Sequence, residues 1–232
     1  MEIIYEDNHI IAVNKACGEI VMIDQTGDTP MLDAVKQYIK EKYNKPGDVF
    51  LGLPHRIDRP TSGIVIMART SKVLIRFNKM FQKKDQIKKT YWAVVDNAPV
   101  PPEGTLEHWI TRSKEKNKSY AHSFEAEESK HAILHYRLIA RSDNYFLLEI
   151  DLKTGRHHQI RAQLSRVGIH IKGDLKYGYP RSNPDGGIHL HARKVEFIHP
   201  VRKEPLVIVA APPDEPLWNA FVKIMAGKEE NT

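Results

Sequence analysis

The stretch His55–Ala68 reads HRIDRPTSGIVIMA and joins a polar turn to an apolar segment. Gly63 to Ala68 is a short apolar run bounded by turn-forming residues, a pattern that predicts a buried strand. Just before it, Asp58 lies between two arginines, and Pro60 restricts the backbone of the turn. The sequence therefore places an acidic side chain, flanked by positive charge, at the entrance to a core strand.

Two interpretations of Asp58 remain open from this stretch. A carboxylate held rigidly between cations stays ionised, which suits a nucleophile or a base. Alternatively, Asp58 caps amides of the turn and pairs with a neighbouring arginine, as structural ion pairs also do. Taken alone, the local residues favour the structural interpretation.

Outward from this stretch, hydrophobic periodicity predicts alternating strands and helices. Towards the N-terminus, the sequence predicts a hairpin of Ile3–Tyr5 and Ile10–Val13 around a turn at Asp7. It also predicts a helix with Thr29 as the N-cap and Pro30 as the first helical residue. The apolar stripe of that helix consists of Leu32, Val35 and Ile39. Towards the C-terminus, Ser71 is the predicted cap of a helix whose core residues are Val73, Leu74, Phe77, Met80 and Phe81. A strand at Thr90–Val95 follows.

The second half of the chain predicts more strands than helices. Thr111–Lys130 is polar and predicts a long loop or an exposed hairpin. The predicted strands are Ala132–Ala140, Tyr145–Leu152, Ile188–Ile198 and Leu206–Ala210. One helix, with inner face Ile160, Leu164 and Val167, stops at Gly168, and a last helix is capped by Asp214. Strands without regular βαβ alternation predict an α+β fold, a mixed, mainly antiparallel β-sheet core flanked by helices.

Composition bounds the class of protein. With 232 residues, 41% hydrophobic and 28% charged, the chain suits one globular domain at 1–226 and a polar tail at 227–232. No apolar run approaches the ~20 residues that span a bilayer, and Cys17 is the single cysteine, so a cytoplasmic protein is expected. The net charge of +6 suits a polyanionic partner but does not establish one.

Two further segments carry possible chemistry. In Lys88–Val95 (KKTYWAVV), Tyr91 could stack on a base while the lysines meet phosphate, or could simply pack the sheet. In Thr154–Leu164, helical geometry puts Arg161 at the edge of the core stripe, where it needs a carboxylate partner such as Asp58. The alternative for Arg161 is a side chain that extends to water.

These segments carry a resemblance to a known family. HRIDRPTSG, KKTYWAVV and TGRHHQIRAQLSRVGIHIKGDLKYG stand in the order and spacing typical of RluA-type RNA pseudouridine synthases, and the similarity covers nearly the whole chain. By that resemblance Asp58 is the catalytic aspartate, Tyr91 the active-site tyrosine and Arg161 the arginine that pairs with the aspartate. Arg56 resembles the arginine that enters the RNA stack when the target base leaves it.

The resemblance also implies the reaction and its partners. Uridine in RNA is isomerised to pseudouridine without cofactor or metal, by a form of the enzyme without an S4 RNA-binding domain. The implied partner is a stem-loop of ribosomal or transfer RNA that contains the target uridine, with no membrane, no obligate protein partner and a monomeric enzyme. Basic and polar residues of the catalytic domain are then expected to contact RNA: Arg56, Arg59, Lys83, Lys84, Lys88, Lys89, Arg112, Lys114, Lys116, Lys118, Arg156 and His158.

Other function classes have weaker support. His131 and His135 are spaced like zinc ligands, but HAILH lacks the glutamate of H-E-x-x-H and lies in a predicted strand. A protein of the same fold that binds RNA without chemistry remains an alternative, as does a metal-independent hydrolase that uses Asp58 with His55 or His157. The presence of Asp58, Tyr91 and Arg161 together favours the isomerase.

Overall fold

One ten-stranded sheet forms the centre of the molecule. The structure is a computed structural model that describes residues 1–22, 30–83 and 85–229. In chain order the elements are β1 (Glu2–Glu6), β2 (Ile10–Lys15), α1 (Met31–Lys42), β3 (Ser62–Ala68), α2 (Ser71–Gln82), β4 (Ile87–Val95), β5 (Glu103–Ser113), β6 (Lys118–His122), β7 (Lys130–Arg141), β8 (Phe146–Leu152), α3 (Gln159–Arg166), β9 (Leu190–Ile198), β10 (Pro205–Val209) and α4 (Pro216–Glu229). The strands pair in the order β1-β2-β3-β9-β4-β8-β7-β5-β6, and β10 pairs with β9. Only β3 and β9 run parallel among these pairs of the described chain, so the predicted mixed, mainly antiparallel α+β fold is confirmed.

Strand β3 is the predicted core strand, and all seven of its residues are buried. It joins two parts of the sheet, because it pairs with β2 on one side and, at Ser62 and Gly63, with β9 on the other. Gly63 has φ +109°, and a Cβ built there would lie 2.4 Å from the backbone oxygen of Ala192. This close approach requires glycine and brings the turn around Asp58 against the centre of the sheet.

Each helix buries an apolar face against the sheet, as the periodicity predicts. The largest contributions come from side chains that are almost fully buried: Val35 and Ile39 of α1, Val73 and Phe77 of α2, Ile160 and Leu164 of α3, and Trp218 and Phe221 of α4. Val167, predicted on the inner face of α3, is instead 44% exposed. The helix ends at Arg166, so Val167 no longer follows the helical turn that would point it inwards.

The helix N-termini differ from the prediction by one residue. Thr70, not Ser71, caps α2, since its backbone is extended and its Oγ1 accepts the Val73 N–H at 3.3 Å. Pro30 is the N-cap of α1 rather than its first helical residue, and Thr29 lies outside the described residues. The sequence pattern locates a cap to within a residue, and the backbone conformation selects which side chain reaches the free amide.

Helix α4 departs from the prediction at both ends. Glu215, not Asp214, accepts the Trp218 N–H, whereas the Asp214 carboxylate accepts from the Asn219 side chain. The helix continues to Glu229, so the first three residues of the predicted tail are helical, and 230–232 lie outside the described residues. No helix in the described part of the chain is long and apolar enough to cross a bilayer.

The polar stretch Thr111–Lys130 contains the β5–β6 hairpin, so the hairpin alternative of the prediction is correct. Strand β5 begins much earlier, at Glu103, in a stretch for which no element was predicted. Its residues mostly alternate between exposed and partly buried positions, and His108 is among its few buried side chains. A strand whose buried face includes polar side chains gives a weak hydrophobic pattern.

Candidate active site

The turn that carries Asp58 is held on both sides by backbone hydrogen bonds. The Thr61 N–H donates to the Asp58 carbonyl at 3.0 Å, and the Ile188 N–H donates to the Pro60 carbonyl at 3.0 Å. The Asp58 carboxylate stays 27% exposed. The turn therefore presents this side chain from a rigid backbone while leaving it accessible.

Arg161 reaches this carboxylate from α3. Its Nη1 lies 3.2 Å from Asp58 Oδ2, and its side chain is only 5% exposed. The alternative in which Arg161 extends to water is therefore wrong, and the predicted pairing with Asp58 is present.

A second carboxylate, absent from the predictions, binds the same guanidinium. Asp174 accepts from Arg161 Nε at 2.7 Å and from Nη2 at 2.8 Å, and its side chain is 1% exposed. Burial, the largest single influence, opposes the charge of Arg161, but the hydrogen bonds to Asp174 and the charges of Asp174 and Asp58 together outweigh it and raise the pKa of the guanidinium. Asp174 thus holds Arg161 charged and in place, with Nη1 left to contact Asp58.

His158 approaches Asp58 from the residue that precedes α3. Its Nε2 lies 3.5 Å from Asp58 Oδ2, and its Nδ1 lies 2.9 Å from the Tyr177 hydroxyl, which accepts the Ser119 N–H. Burial, reinforced by the Arg161 charge, lowers the pKa of His158 to about 2, so the ring is neutral. If Tyr177 donates to Nδ1, the remaining proton sits on Nε2 and faces Asp58.

The backbone of His158 supports a role in the site rather than on the surface. Its φ is +52°, an uncommon conformation for a residue with a side chain. The residue is buried, and its contact with RNA stays a prediction. Its contacts are instead with Asp58, Tyr177 and the stacked ring of His157.

Tyr91 faces the same space from β4. The side chain is partly buried, and burial together with the charge of Asp58 raises the pKa of its hydroxyl. Tyr91, Asp58 and Arg161 all line one cavity of about 560 Å³, although the three residues lie far apart in the sequence. We call it the first cavity; its size is within the ~300–1,000 Å³ typical of small-ligand sites.

Four of the predicted RNA-contacting residues line the first cavity: Arg56, Lys89, Arg156 and His158. Burial lowers the pKa of Lys89, and Arg156 is held by a 2.9 Å hydrogen bond from Nε to the His131 carbonyl. Lys83 lines a smaller adjoining cavity together with Lys89 and Arg156, whereas Lys84 lies outside the described residues. One side of the first cavity is therefore rich in positive charge.

Three other residues predicted to contact RNA, Lys88, Lys114 and Lys116, lie outside the lining of the first cavity. Lys88 lies on the opposite face of β4 from Lys89, 3.7 Å from Glu196, because successive side chains of a strand point to opposite faces. Lys114 and Lys116 are exposed at the turn between β5 and β6, outside the lining of the first cavity. Lys88 therefore lies away from Asp58, and its contact with RNA stays a prediction.

A second cavity lies on the other side of Asp58. Its volume is about 380 Å³, and it is lined by the predicted residues Arg56, Arg59 and Arg112, together with Lys176. Asp58, Arg56, His158 and Arg161 line both cavities.

Lys15 is a further residue that the sequence analysis did not identify. Its ammonium is almost fully buried and donates to three backbone carbonyls, those of Ala16, Glu19 and Arg59. Burial lowers the pKa of Lys15 to about 8. The contact with Arg59 ties strand β2 to the turn of Asp58, and a lysine at the end of an apolar strand gave no signal of this role.

His55, the possible partner of Asp58 in a hydrolase, is engaged in the core. Its Nε2 accepts the Ile66 N–H at 2.9 Å, and its ring stacks on Phe81. Burial lowers the pKa of His55 to about 3, so it is a poor base. Within the described residues, no three His, Cys, Asp or Glu side chains are grouped to hold a metal ion.

A family model described as RNA pseudouridylate synthase matches residues 9–166. The chain belongs to this family, to its RluA type. It is 30% identical over 90% of its length to tRNA pseudouridine synthase C of Pectobacterium carotovorum, and 31% identical over 93% of its length to ribosomal large subunit pseudouridine synthase D of Xylella fastidiosa. It spans 58% and 67% of the lengths of these relatives.

The fold of this family member agrees with that of solved structures. The human RNA pseudouridylate synthase domain containing 4 superposes with a TM-score of 0.78 at 21% identity, covering 97% of this chain and 93% of the other. The region matched by the pseudouridylate synthase model contains Asp58, Tyr91 and Arg161, whereas Asp174 and Tyr177 lie beyond its end. The site therefore extends past the matched segment.

Proposed function

We propose that this chain converts specific uridines of ribosomal or transfer RNA to pseudouridine, with Asp58 as the catalytic carboxylate. The observation that carries the proposal is the position of Asp58, accessible at the wall of the first cavity and held by Arg161. The relatives named for tRNA and for the large ribosomal subunit support structured RNA as the substrate.

The reaction needs a carboxylate but no redox step. The bond between C1′ and N1 of uridine breaks, the uracil turns, and C5 bonds to C1′ while its proton leaves and N1 gains one. Asp58 acts either as a nucleophile towards the nucleotide or as the base that starts glycal formation. Arg161 Nη1 and His158 Nε2 both lie beside Oδ2, at 3.2 Å and 3.5 Å, so Oδ1 is the oxygen we assign to the chemistry.

Tyr91 serves as the platform for the uracil. Its ring borders the first cavity, and its raised pKa keeps the hydroxyl protonated at neutral pH. The hydroxyl can then donate a hydrogen bond to the turning base. To accept the C5 proton, it must first transfer its own proton, and Asp58 is the nearby acceptor. Arg56, exposed at the rim of both cavities, fills the space that the extruded uridine leaves in the RNA.

The test maps pseudouridine across total RNA from cells that contain the wild-type protein, none, or Asp58→Ala. We expect the same uridines to lose modification in the last two, and the purified Asp58→Ala protein to be slower by at least about 10³-fold while still binding RNA. Asp48→Ala removes an equally charged but exposed side chain and serves as the matched control. Full modification by Asp58→Ala would exclude the assignment, and RNA binding without any modified uridine would indicate a binding protein.

A further inference from the structure

The first and second cavities meet at Asp58. Their linings share Asp58, Arg56, Ile57, His158 and Arg161, so both cavities border the same carboxylate. A uridine in the first cavity contacts Tyr91, which does not line the second cavity. The second cavity, about 380 Å³, is then left for whatever is joined to that uridine.

The charge of the second cavity is strongly positive. Arg56, Arg59, Arg112 and Lys176 line it, and Asp58, already paired with Arg161, is the sole carboxylate among the described residues of its lining. The Lys176 ammonium is held at this position by a 3.1 Å hydrogen bond to the Asn117 carbonyl. Such a cavity attracts an anion, and a phosphodiester is the anion that a uridine in RNA brings with it.

Part of the lining of the second cavity is apolar. Ile20, Val21, Met22 and Pro60 belong to it, and Met22 is 49% exposed although its neighbour Val21 is buried. An exposed methionine together with cationic side chains matches the two halves of a nucleotide, an apolar base face and a phosphate. The stacked rings of His157 and His158, 3.8 Å apart, also line this cavity.

We propose that the second cavity binds the nucleotide adjacent to the target uridine, with its phosphate on Arg112 and Lys176 and its base against Met22. This assignment rests on the proposed function, since it takes the target uridine to occupy the first cavity. The cavity then selects RNA in which two neighbouring nucleotides leave the stack together, with Asp58 between them.

The test measures binding without turnover. The probe is a fluorescein-labelled RNA of seven nucleotides with one central uridine, compared with two versions in which the phosphate on either side of that uridine is an uncharged methylphosphonate. We expect one methylphosphonate to weaken binding to wild type by more than about tenfold, because it removes the charge that both Arg112 and Lys176 contact. Arg112→Gln and Lys176→Gln should each bind the unmodified probe about tenfold more weakly and lose less affinity to that methylphosphonate than wild type does, because one cation remains. A protein with both substitutions should be insensitive to it. Arg137→Gln, the same change at an exposed ion pair with Glu149 on the far face of the sheet, should behave as wild type.

The possible outcomes distinguish a failure of the second-cavity proposal from a failure of the proposed function. If Arg112→Gln and Lys176→Gln bind all three probes as wild type does, the second cavity does not hold the adjacent nucleotide, whether or not the protein makes pseudouridine. If adenosine 5′-monophosphate shifts the Met22 methyl resonance while the methylphosphonates have no effect, the cavity takes a free nucleotide, which also overturns the assignment. If the variants and the methylphosphonates affect binding as expected but the protein modifies no uridine, the result would support the site and contradict the proposed function.

Discussion

Arg161 contacts two carboxylates of different character, and this difference defines the site at the scale of single residues. Asp174 is buried and takes two short hydrogen bonds, whereas Asp58 takes one longer bond and remains accessible. The buried pair fixes the guanidinium, and the remaining N–H orients the carboxylate that faces the cavity. Asp174 is therefore a positioning residue that acts through Arg161.

Asp174→Asn tests this positioning. The amide keeps the shape of the side chain but loses the charge and one acceptor, so Arg161 becomes a buried cation with an incomplete partner. We expect the free energy of unfolding in urea to fall by about 3 kcal/mol, with a fall in kcat that exceeds any change in KM. Asp33→Asn, at an exposed ion pair with Lys36, should change stability by less than about 0.5 kcal/mol. Equal effects of the two substitutions would contradict the role of Asp174.

The sequence predicted Asp58, Arg161 and their pairing but not Asp174. Arg161 could be placed because a helical stripe positions neighbours three and four residues away. Asp174 follows α3 after an irregular segment, for which the sequence offers no periodicity, so its approach to Arg161 could not be predicted. The burial of His158 escaped prediction for a similar reason, because a residue at positive φ belongs to no regular pattern.

Among the elements, β3 connects the turn that carries Asp58 to the sheet. It shares only two residue pairs with β9, Ser62 with His191 and Gly63 with Ala192, immediately after the turn that carries Asp58. Because Gly63 has positive φ and its hydrogen faces the Ala192 backbone, the parallel contact depends on the absence of a Cβ.

Gly63→Ala should break this contact. The added methyl group would overlap backbone atoms that cannot move independently, and alanine disfavours φ +109°. We expect the free energy of unfolding to fall by about 3 kcal/mol or more, measured by urea denaturation. Gly47→Ala introduces the same methyl group where nothing lies within 4 Å, and should stay within about 0.5 kcal/mol of wild type. A Gly63→Ala protein as stable as wild type would show that the close approach is dispensable.

For the whole molecule, buried neutral histidines link stability to pH. Burial lowers the pKa of His158 to about 2, of His55 to about 3 and of His191 to about 4. The ring of His191 is held between the Ser62 hydroxyl and the Ala210 carbonyl. Below the ordinary histidine pKa of about 6.5, the unfolded chain binds protons that the folded chain does not, so acid favours unfolding.

The free energy of unfolding should therefore fall between pH 6 and pH 4, each histidine contributing up to about 1.4 kcal/mol per pH unit. His191→Gln should reduce this slope by the contribution of one histidine, up to about 1.4 kcal/mol per pH unit, whatever its effect on stability at pH 7. His135→Gln, at an exposed histidine, should leave the slope unchanged. Urea denaturation at half-unit pH steps provides the measurement, and a slope unaltered by His191→Gln would contradict this account.

The α+β class, most of the strands and helices, and the catalytic candidates Asp58, Tyr91 and Arg161 could be predicted from the amino-acid sequence. These follow from local periodicity and from motifs, which depend on neighbours along the chain. The fold was needed to show that Asp174 holds Arg161, that Lys88 faces away from Asp58, and that two cavities share that carboxylate. These contacts join segments that are distant in sequence, and their geometry depends on how the strands pair and on the paths of irregular loops.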